Sequence, residues 1–170
     1  MKLIKYIKDV KNFPIEGIIF KDISPLLANG EALHYTIETM SQLAKDADII
    51  IAPDARGFLF GTPVAAKLSK PLIMIRKKGK LPGKVIQKSY DLEYGSNIIE
   101  LQENMVKKGQ KAVIIDDVLA TGGTVKAICE LLESQGVEVI KILFLMELKA
   151  LEGRKKIGHY NVESLIEVDN

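Results

Sequence analysis

Cysteine is almost absent from this sequence, whose 170 residues contain only Cys129. A single cysteine excludes an internal disulfide and lacks the companions that a cysteine-based metal site would need. Cys129 lies among Ile128, Leu131 and Leu132, so we expect a small buried side chain rather than a reactive thiol. This cysteine content fits a reducing compartment.

Long apolar runs and a strong charge bias are also missing. Lysines interrupt the apolar residues of the N-terminal segment MKLIKYIKDVKN, so we expect neither a signal peptide nor a membrane-spanning helix, and we predict a cytoplasmic protein. The 24 basic and 22 acidic residues leave a net charge of +2, too little to indicate a general nucleic-acid binder. With 47% hydrophobic residues, we predict one folded domain over residues 1–170.

Short apolar runs bounded by charges, proline or glycine predict the strands of this domain. They are residues 48–53, 71–76, 111–117, 137–147 and 163–168. Nearly continuous hydrophobicity in three of them predicts strands that are covered on both faces. Helical spacing relates Leu33, Ile37, Met40 and Ala44, and a second stripe runs from Val125 to Gln135 before Gly136. This alternation predicts an α/β fold with a mostly parallel central sheet flanked by helices.

Residues 76–95 do not follow the alternation and are rich in lysine and glycine. A loop of this length in a compact domain is usually functional or disordered. Because the segment also carries Tyr90, Glu93 and Tyr94, we predict a flexible functional lid. The alternative is a solvated, lysine-rich excursion.

The stretch VIIDDVLATGGT, residues 113–124, has the composition of a phosphate-binding loop. Glycines at 122 and 123 precede a predicted helix start near Thr124, so backbone N–H groups of residues 121–124 can converge on one phosphate. The spacing differs from a Walker A loop and from a dinucleotide-binding fingerprint, so we expect neither a nucleoside-triphosphate hydrolase nor a dinucleotide enzyme.

Asp116 and Asp117 stand directly before that loop and call for a partner other than phosphate. Ionised carboxylates accept hydrogen bonds from hydroxyls or pair with cations and developing positive charge. A sugar with two neighbouring hydroxyls offers such hydrogen-bond donors. It also offers developing positive charge if its anomeric carbon loses a leaving group. Because successive strand side chains point to opposite faces, we expect the pair to act together only where the chain leaves the sheet.

These residues resemble the phosphoribosyl-pyrophosphate-binding motif of the type I phosphoribosyltransferases. Further segments look like the adenine-specific branch of that family, in the same order and at similar spacing. They are FPIEGIIFKDISPLL (13–27), DARGFLFGTPVA (54–65), IRKKGKLPG (75–83), SYDLEYG (89–95) and ELKALEGRKKI (147–157). The resemblance implies the type I phosphoribosyltransferase fold with a small N-terminal hood, residues 1–30, and the lid at residues 76–95.

The same resemblance implies a reaction in purine salvage: ribose 5-phosphate passes from phosphoribosyl pyrophosphate to N9 of adenine, giving AMP and pyrophosphate. Mg2+ is the implied cofactor, with no metal ligand assigned directly, and a homodimer is the implied assembly, with no nucleic-acid or membrane partner.

It also implies roles for individual residues, each with a physical reason. The ribose and its 5-phosphate are assigned to Asp116, Asp117, Ala120, Thr121, Gly122, Gly123 and Thr124. Pyrophosphate is assigned to Asp54, Ala55, Arg56, Arg76, Lys77 and Lys80, partly across the dimer interface, and adenine to Ile19, Phe20 and Lys21. Glu93, Tyr94 and Arg56 are the implied catalytic residues. Cations neutralise the leaving group, and Glu93 would accept the proton that adenine loses.

Two residues depart from the family pattern. Lys21 replaces a usual arginine and so loses the planar fork, and Ala55 replaces a common serine and so loses a hydroxyl. Two alternative functions stay open, a phosphoribosyltransferase for another purine such as hypoxanthine or xanthine and a non-catalytic sensor of phosphoribosyl pyrophosphate. For a sensor, residues 1–12 are too few to form an N-terminal DNA-binding domain. His34 and His159 are expected to be surface or packing residues.

Overall fold

The computed structural model describes residues 1–92 and 94–169. The chain opens with a two-stranded antiparallel ribbon, β1 (Lys8–Lys11) and β2 (Ile19–Asp22), and continues into the short helix α1 (Ser24–Leu27). Helix α2 (Gly30–Leu43) begins at an effective cap, because the Asn29 side chain accepts the backbone N–H of Ala32 at 2.9 Å.

The strands β3 (Ile49–Pro53) and β4 (Leu72–Lys77) lie on either side of helix α3 (Gly57–Leu68) in the chain. A hairpin of β5 (Val85–Asp91) and β6 (Ser96–Gln102) comes next. The strands β7 (Lys111–Leu119) and β8 (Glu138–Leu148) are then joined by helix α4 (Gly123–Ser134), and β9 (Val162–Val168) ends the described chain.

Seven of these described strands form the central sheet, in the order β5, β6, β4, β3, β7, β8, β9. The neighbouring pairs β4–β3, β3–β7, β7–β8 and β8–β9 are parallel. Strand β6 pairs antiparallel with both β4 and β5. The predicted fold class, an α/β fold with a mostly parallel sheet, is therefore confirmed.

Alternation along the central strands divides the core between the two faces of the sheet. Ile49 and Ile51 pack with the α4 side, whereas Ile50 packs with the side that carries Phe60 and Met40. Both faces are covered, which explains why the central strands are hydrophobic at nearly every position. Cys129 is fully buried on α4 and free, and burial raises the pKa of its thiol to about 12, as expected for a packing residue.

Residues 76–95 differ from the loop predicted for them, because residues 85–91 form β5. Ile86, Lys88 and Tyr90 turn toward the body of the protein, while Gln87 and Ser89 are exposed. This period of two is typical of an edge strand, but the lysines on both sides hid it in the sequence. The turn before β5, residues 78–84, and the described residues 92, 94 and 95 after it are the irregular parts of the segment.

Among the described residues, no helix combines the length and the apolar character that crossing a bilayer requires.

Candidate active site

A cavity of about 620 Å³ opens where β3, β4 and β7 end. Its walls come from β2, from the loop between β3 and α3, and from the loop between β7 and α4. Open parallel sheets bind ligands at the carboxyl ends of their strands, so this cavity lies where the topology places a site.

The glycine loop on one side of the cavity is shorter than expected. Strand β7 continues to Leu119 because Val118 and Leu119 still pair with β8, and α4 begins at Gly123. Gly122 has φ +88, and a Cβ there would lie 2.7 Å from the Gly153 carbonyl oxygen. Only glycine fits this position, and residues 120–124, which include the start of α4 with its unpaired N–H groups, line the cavity.

Asp116 and Asp117 line the same cavity although both lie within β7. The expectation that they act together only outside the sheet is therefore wrong in its geometry. Asp116 Oδ1 accepts the backbone N–H of Asp117 at 2.8 Å, and Asp117 Oδ2 accepts a hydrogen bond from Arg56 Nε at 2.5 Å. Burial, and after it the charge of Asp117, raises the pKa of Asp116 well above its ordinary value. Positive charge on a ligand would favour the ionised form.

Two arginines reach carboxylates on neighbouring strand ends. Arg56 stands at the N-cap of α3, and Arg76 Nε donates to Asp54 Oδ2 at 3.1 Å. The peptide bond between Asp54 and Ala55 is cis. Both guanidinium groups stay partly exposed, so they remain accessible to an anion that approaches the loop.

The hood contributes an aromatic wall to the cavity through β2. The Phe20 ring packs edge-on against Phe13, with centroids 5.2 Å apart, and the Arg56 guanidinium lies 5.7 Å from the Phe20 ring centre. Lys21 also lines the cavity; its ammonium pairs with Asp9 Oδ1 at 2.7 Å. A flat apolar group fits between such walls.

The cavity joins a phosphate loop, two carboxylates, basic side chains and an apolar wall. A family model described as a phosphoribosyl transferase domain matches residues 23–170. This chain belongs to the phosphoribosyltransferase family. The resemblance of its motifs to that family is therefore confirmed.

Close relatives within the phosphoribosyltransferases have a more specific description. The adenine phosphoribosyltransferase of Mycoplasmopsis pulmonis is 69% identical over 99% of each chain. The structure of adenine phosphoribosyltransferase from Thermoanaerobacter pseudethanolicus aligns with a TM-score of 0.93 at 44% identity over 98% of each chain. The Saccharomyces cerevisiae enzyme, complexed with D-2,5-dideoxy-2,5-imino-altritol 1,6-bisphosphate and adenine, aligns with a TM-score of 0.91 at 35% identity over 96% of each chain.

Most of the residues implied by the resemblance to phosphoribosyltransferases line this one cavity. They are Ile19, Phe20, Lys21, Asp54, Ala55, Arg56, Lys77, Asp116, Asp117, Ala120, Thr121, Gly122, Gly123 and Thr124. Arg76 lies behind Asp54, Lys80 is exposed in the turn before β5, and Tyr94 is 88% exposed; these three are not among the lining residues. Glu93 lies outside the described residues.

Some residues at this phosphoribosyltransferase cavity have no role in the sequence interpretation. The Tyr90 hydroxyl lies 3.1 Å from Thr124 Oγ1, which ties β5 to the start of α4, and Asn97 lines the cavity beside it. A Cβ on Gly57 would lie 3.0 Å from Asp116 Oδ1, so α3 can approach the acidic pair only through a glycine. The motifs SYDLEYG and DARGF contain Tyr90 and Gly57, but spacing alone does not show what either residue contacts.

Proposed function

We propose that this chain transfers the 5-phosphoribosyl group from phosphoribosyl pyrophosphate to adenine, giving AMP and pyrophosphate. The observation that carries this proposal is the single cavity in which phosphate loop, acidic pair and aromatic hood face one another. Relatives named adenine phosphoribosyltransferase support the choice of base. In the reaction, the bond between C1 of the ribose and N9 of adenine forms, and the bond from C1 to the pyrophosphate oxygen breaks.

The phosphate loop holds the 5-phosphate through backbone donors. Residues 120–122 connect β7 to α4, and the first turn of α4 contains no acidic side chain to repel an anion. The free N–H groups and the positive end of the helix dipole both favour a phosphate at this place. Because glycines 122 and 123 lack side chains, the phosphate can approach the backbone closely.

The acidic pair binds the ribose and responds to the charge that develops on it. Departure of pyrophosphate gives the anomeric carbon oxocarbenium character, which a nearby carboxylate stabilises. Positive charge beside Asp116 opposes the raised pKa of that carboxyl and favours its ionised form. Asp117, now paired with Arg56, gains a sugar hydroxyl as a second donor.

Basic side chains neutralise the pyrophosphate as it leaves. Arg56 and Lys77 line the cavity together with Asp54 and Ala55. Arg76, which donates to Asp54, and the exposed Lys80 are not among the lining residues, so they reach the pyrophosphate only if their side chains or the turn before β5 rearrange. Exclusion of water by such a closure would strengthen each of these electrostatic interactions.

Adenine occupies the hood between Ile19, Phe20 and Lys21. The apolar ring of Phe20 suits one face of the purine, and the backbone of β2 offers the directional hydrogen bonds that a base needs. The proposed proton acceptor is Glu93, with Tyr94 beside it, on the strength of the resemblance and of the chemistry of a carboxylate general base.

Mg2+ fits this donor set as a partner of the substrate. Among the described residues, no group of three or more metal-ligating side chains forms a cage. Mg2+ typically keeps several waters and is held by one or two carboxylates together with substrate phosphates. Asp116 and Asp117 could supply those carboxylates, and a bound Mg2+ would add positive charge beside the diphosphate.

A second copy of the chain is proposed to cover the exposed apolar surface beside Arg76. Leu59 and Met74 are large, apolar and exposed, and the Arg76 guanidinium lies 5.8 Å from the ring centre of Phe58 next to Leu59. We expect light scattering of the purified protein to give a dimer and a Met74→Lys variant to give more monomer. The exposed Met105→Lys variant serves as the control, and equal dimer contents would contradict this surface.

The activity is tested by mixing purified protein with phosphoribosyl pyrophosphate, adenine and Mg2+ and separating the products by chromatography. We expect AMP and pyrophosphate in equal amounts and no AMP when either substrate is omitted. Tight binding of phosphoribosyl pyrophosphate without turnover of any purine would favour a sensor instead. Turnover of hypoxanthine or xanthine but not adenine would favour the transferase for another purine.

A further inference from the structure

The chain segment after β8 lies directly against the phosphate loop. A short 3₁₀ helix covers Gly153–Lys156, and a Cβ on Gly153 would lie 2.4 Å from the Ala120 carbonyl oxygen. The approach is reciprocal, because a Cβ on Gly122 would lie 2.7 Å from the Gly153 carbonyl oxygen. Two glycines therefore allow two backbones to touch, and the segment forms the back of the phosphate loop.

An ion pair between the buried carboxylate of Glu147 and the partly exposed Arg154 fixes this segment to the sheet. Glu147 is 4% exposed, and both of its carboxylate oxygens lie 2.9 Å from Arg154 Nε. Arg154 Nη1 also donates to the Val162 carbonyl at 3.0 Å, and Ser164 Oγ donates to Glu147 at 3.1 Å. Ile157, directly after the segment, is fully buried in the core. The segment is therefore held at both ends.

Lys156 is the last residue of the segment, and its ammonium lies 3.9 Å from the position that a Cβ on Gly123 would take. This places a cation beside the N-terminus of α4. Lys156 has no ion-pair partner in the part of the chain that the structure describes, whereas its neighbour Lys155 pairs with Glu152 at 3.0 Å. A cation and the positive end of a helix repel each other unless an anion lies between them.

We infer that Lys156 is a further binding residue for the 5-phosphate and that the pair of Arg154 and Glu147 positions it. The inference rests on the proposed function, since it assigns the phosphate of the substrate to this loop. Backbone N–H groups of the loop bind one side of the phosphate, and the ammonium adds a charge-assisted hydrogen bond from the other. Sequence spacing does not reveal this role, because Lys156 lies far from the glycines in the chain.

The direct test compares Lys156→Met with Lys155→Met, a neighbouring lysine of the same size and charge. We expect Lys156→Met to raise the KM for phosphoribosyl pyrophosphate and the Kd for ribose 5-phosphate about tenfold, the effect of losing one charge-assisted hydrogen bond. The KM for adenine should change less than about twofold, and Lys156→Arg should restore most of the affinity. Equal values for the two methionine variants would overturn the inference.

The positioning part is tested with Arg154→Met, after circular dichroism has established that the variant is folded. We expect it to raise the KM for phosphoribosyl pyrophosphate with little change in kcat or in the KM for adenine. Unchanged KM for phosphoribosyl pyrophosphate, or an equal rise in both KM values, would overturn the positioning role. If Arg154→Met does not fold, Arg154→Lys, which keeps the charge but loses the fork, replaces it with the same expected split.

Ribose 5-phosphate binding, measured by titration calorimetry, separates this inference from the proposed activity because it requires no turnover. Weaker binding by Lys156→Met in a protein that forms no AMP would support the inference and contradict the activity. AMP formation together with unchanged binding by Lys156→Met would support the activity and overturn the inference.

Discussion

Arg56 and Asp117 both line the cavity and form an ion pair, with 2.5 Å between Arg56 Nε and Asp117 Oδ2. The two residues are 61 positions apart in the chain, and they join the start of α3 to the end of β7. Asp117 is nearly buried while Arg56 is half exposed, so the arginine can turn toward a ligand while the carboxylate stays in place. The pair stands between the proposed pyrophosphate and ribose sites.

Replacing Asp117 with asparagine removes the negative charge of that pair and keeps its shape. We expect Asp117→Asn to lower kcat/KM about 100-fold, because the positive charge that develops on the ribose loses a fixed carboxylate. The KM for phosphoribosyl pyrophosphate should rise as well. Steady-state kinetics measure both effects, with Asp46→Asn as the control, since Asp46 is an exposed carboxylate before the N-terminal end of β3, whereas the cavity lies at the carboxyl ends of the strands. Equal kinetics for the two variants would contradict the role of Asp117.

The raised pKa of Asp116 predicts how stability depends on pH. Burial, followed by the charge of Asp117, raises that pKa in the folded protein, so the folded state keeps a proton that the unfolded state releases as pH rises. The contribution of this group to stability is therefore present below the ordinary pKa of an aspartate and is lost as pH rises through the folded pKa.

An Asp116→Asn variant has no such loss. We expect the Tm of Asp116→Asn minus the Tm of the unsubstituted protein to increase from pH 4 to pH 7. The increase should be about 3 °C for each kcal/mol of stability that the unsubstituted protein loses over this range. Thermal unfolding followed by circular dichroism measures this difference. A difference that is constant, or that decreases with pH, would be inconsistent with a raised pKa.

The two glycines of the loop should respond differently to alanine. Gly122 has a positive φ and meets the Gly153 carbonyl, whereas a Cβ on Gly123 would approach only the Lys156 ammonium, at 3.9 Å. We expect Gly122→Ala to lower the free energy of unfolding by about 1–3 kcal/mol and Gly123→Ala to leave it nearly unchanged. Urea unfolding of the ligand-free protein measures both. Similar losses for both variants would show that the contact with Gly153 does not matter.

Tyr90 should influence phosphate binding through Thr124, although the family resemblance implies no phosphate contact for Tyr90 itself. Its hydroxyl shares a hydrogen bond with Thr124 Oγ1 at 3.1 Å, which orients that side chain at the start of α4. We expect Tyr90→Phe to raise the KM for phosphoribosyl pyrophosphate about fivefold, as for the loss of one neutral hydrogen bond. Tyr35→Phe, on the exposed side of α2, is the matched control. An unchanged KM in Tyr90→Phe would rule out this coupling.

The central strands, α2, α4 and the fold class could be predicted because their hydrophobic patterns are regular. Helix α3 could not, since Gly61 and Pro63 interrupt a segment that is apolar on nearly all sides. Strand β5 was hidden by lysines, of which Lys88 pairs with Glu130 on α4. Local pattern does not report such long-range partners.

The candidate site shows the same division between local and long-range information. Spacing alone indicated the loop at Gly122 and the acidic pair, and the family resemblance supplied the base and the hood. Neither source could show that Asp117 contacts Arg56 or that Gly153 supports the phosphate loop, because those contacts depend on how distant strands end beside one another. Contacts of this kind arise only in the folded chain.

Purine preference tests most directly whether the hood and the phosphate loop together form an adenine site. The measurement is kcat/KM for adenine, hypoxanthine and guanine at saturating phosphoribosyl pyrophosphate and Mg2+. We predict a value for adenine at least about 100-fold above the other two. A site whose donors and acceptors match a 6-amino purine has buried polar groups that stay unpaired when a 6-oxo purine binds. Comparable values for hypoxanthine or guanine, or no turnover with adenine, would contradict the proposed function.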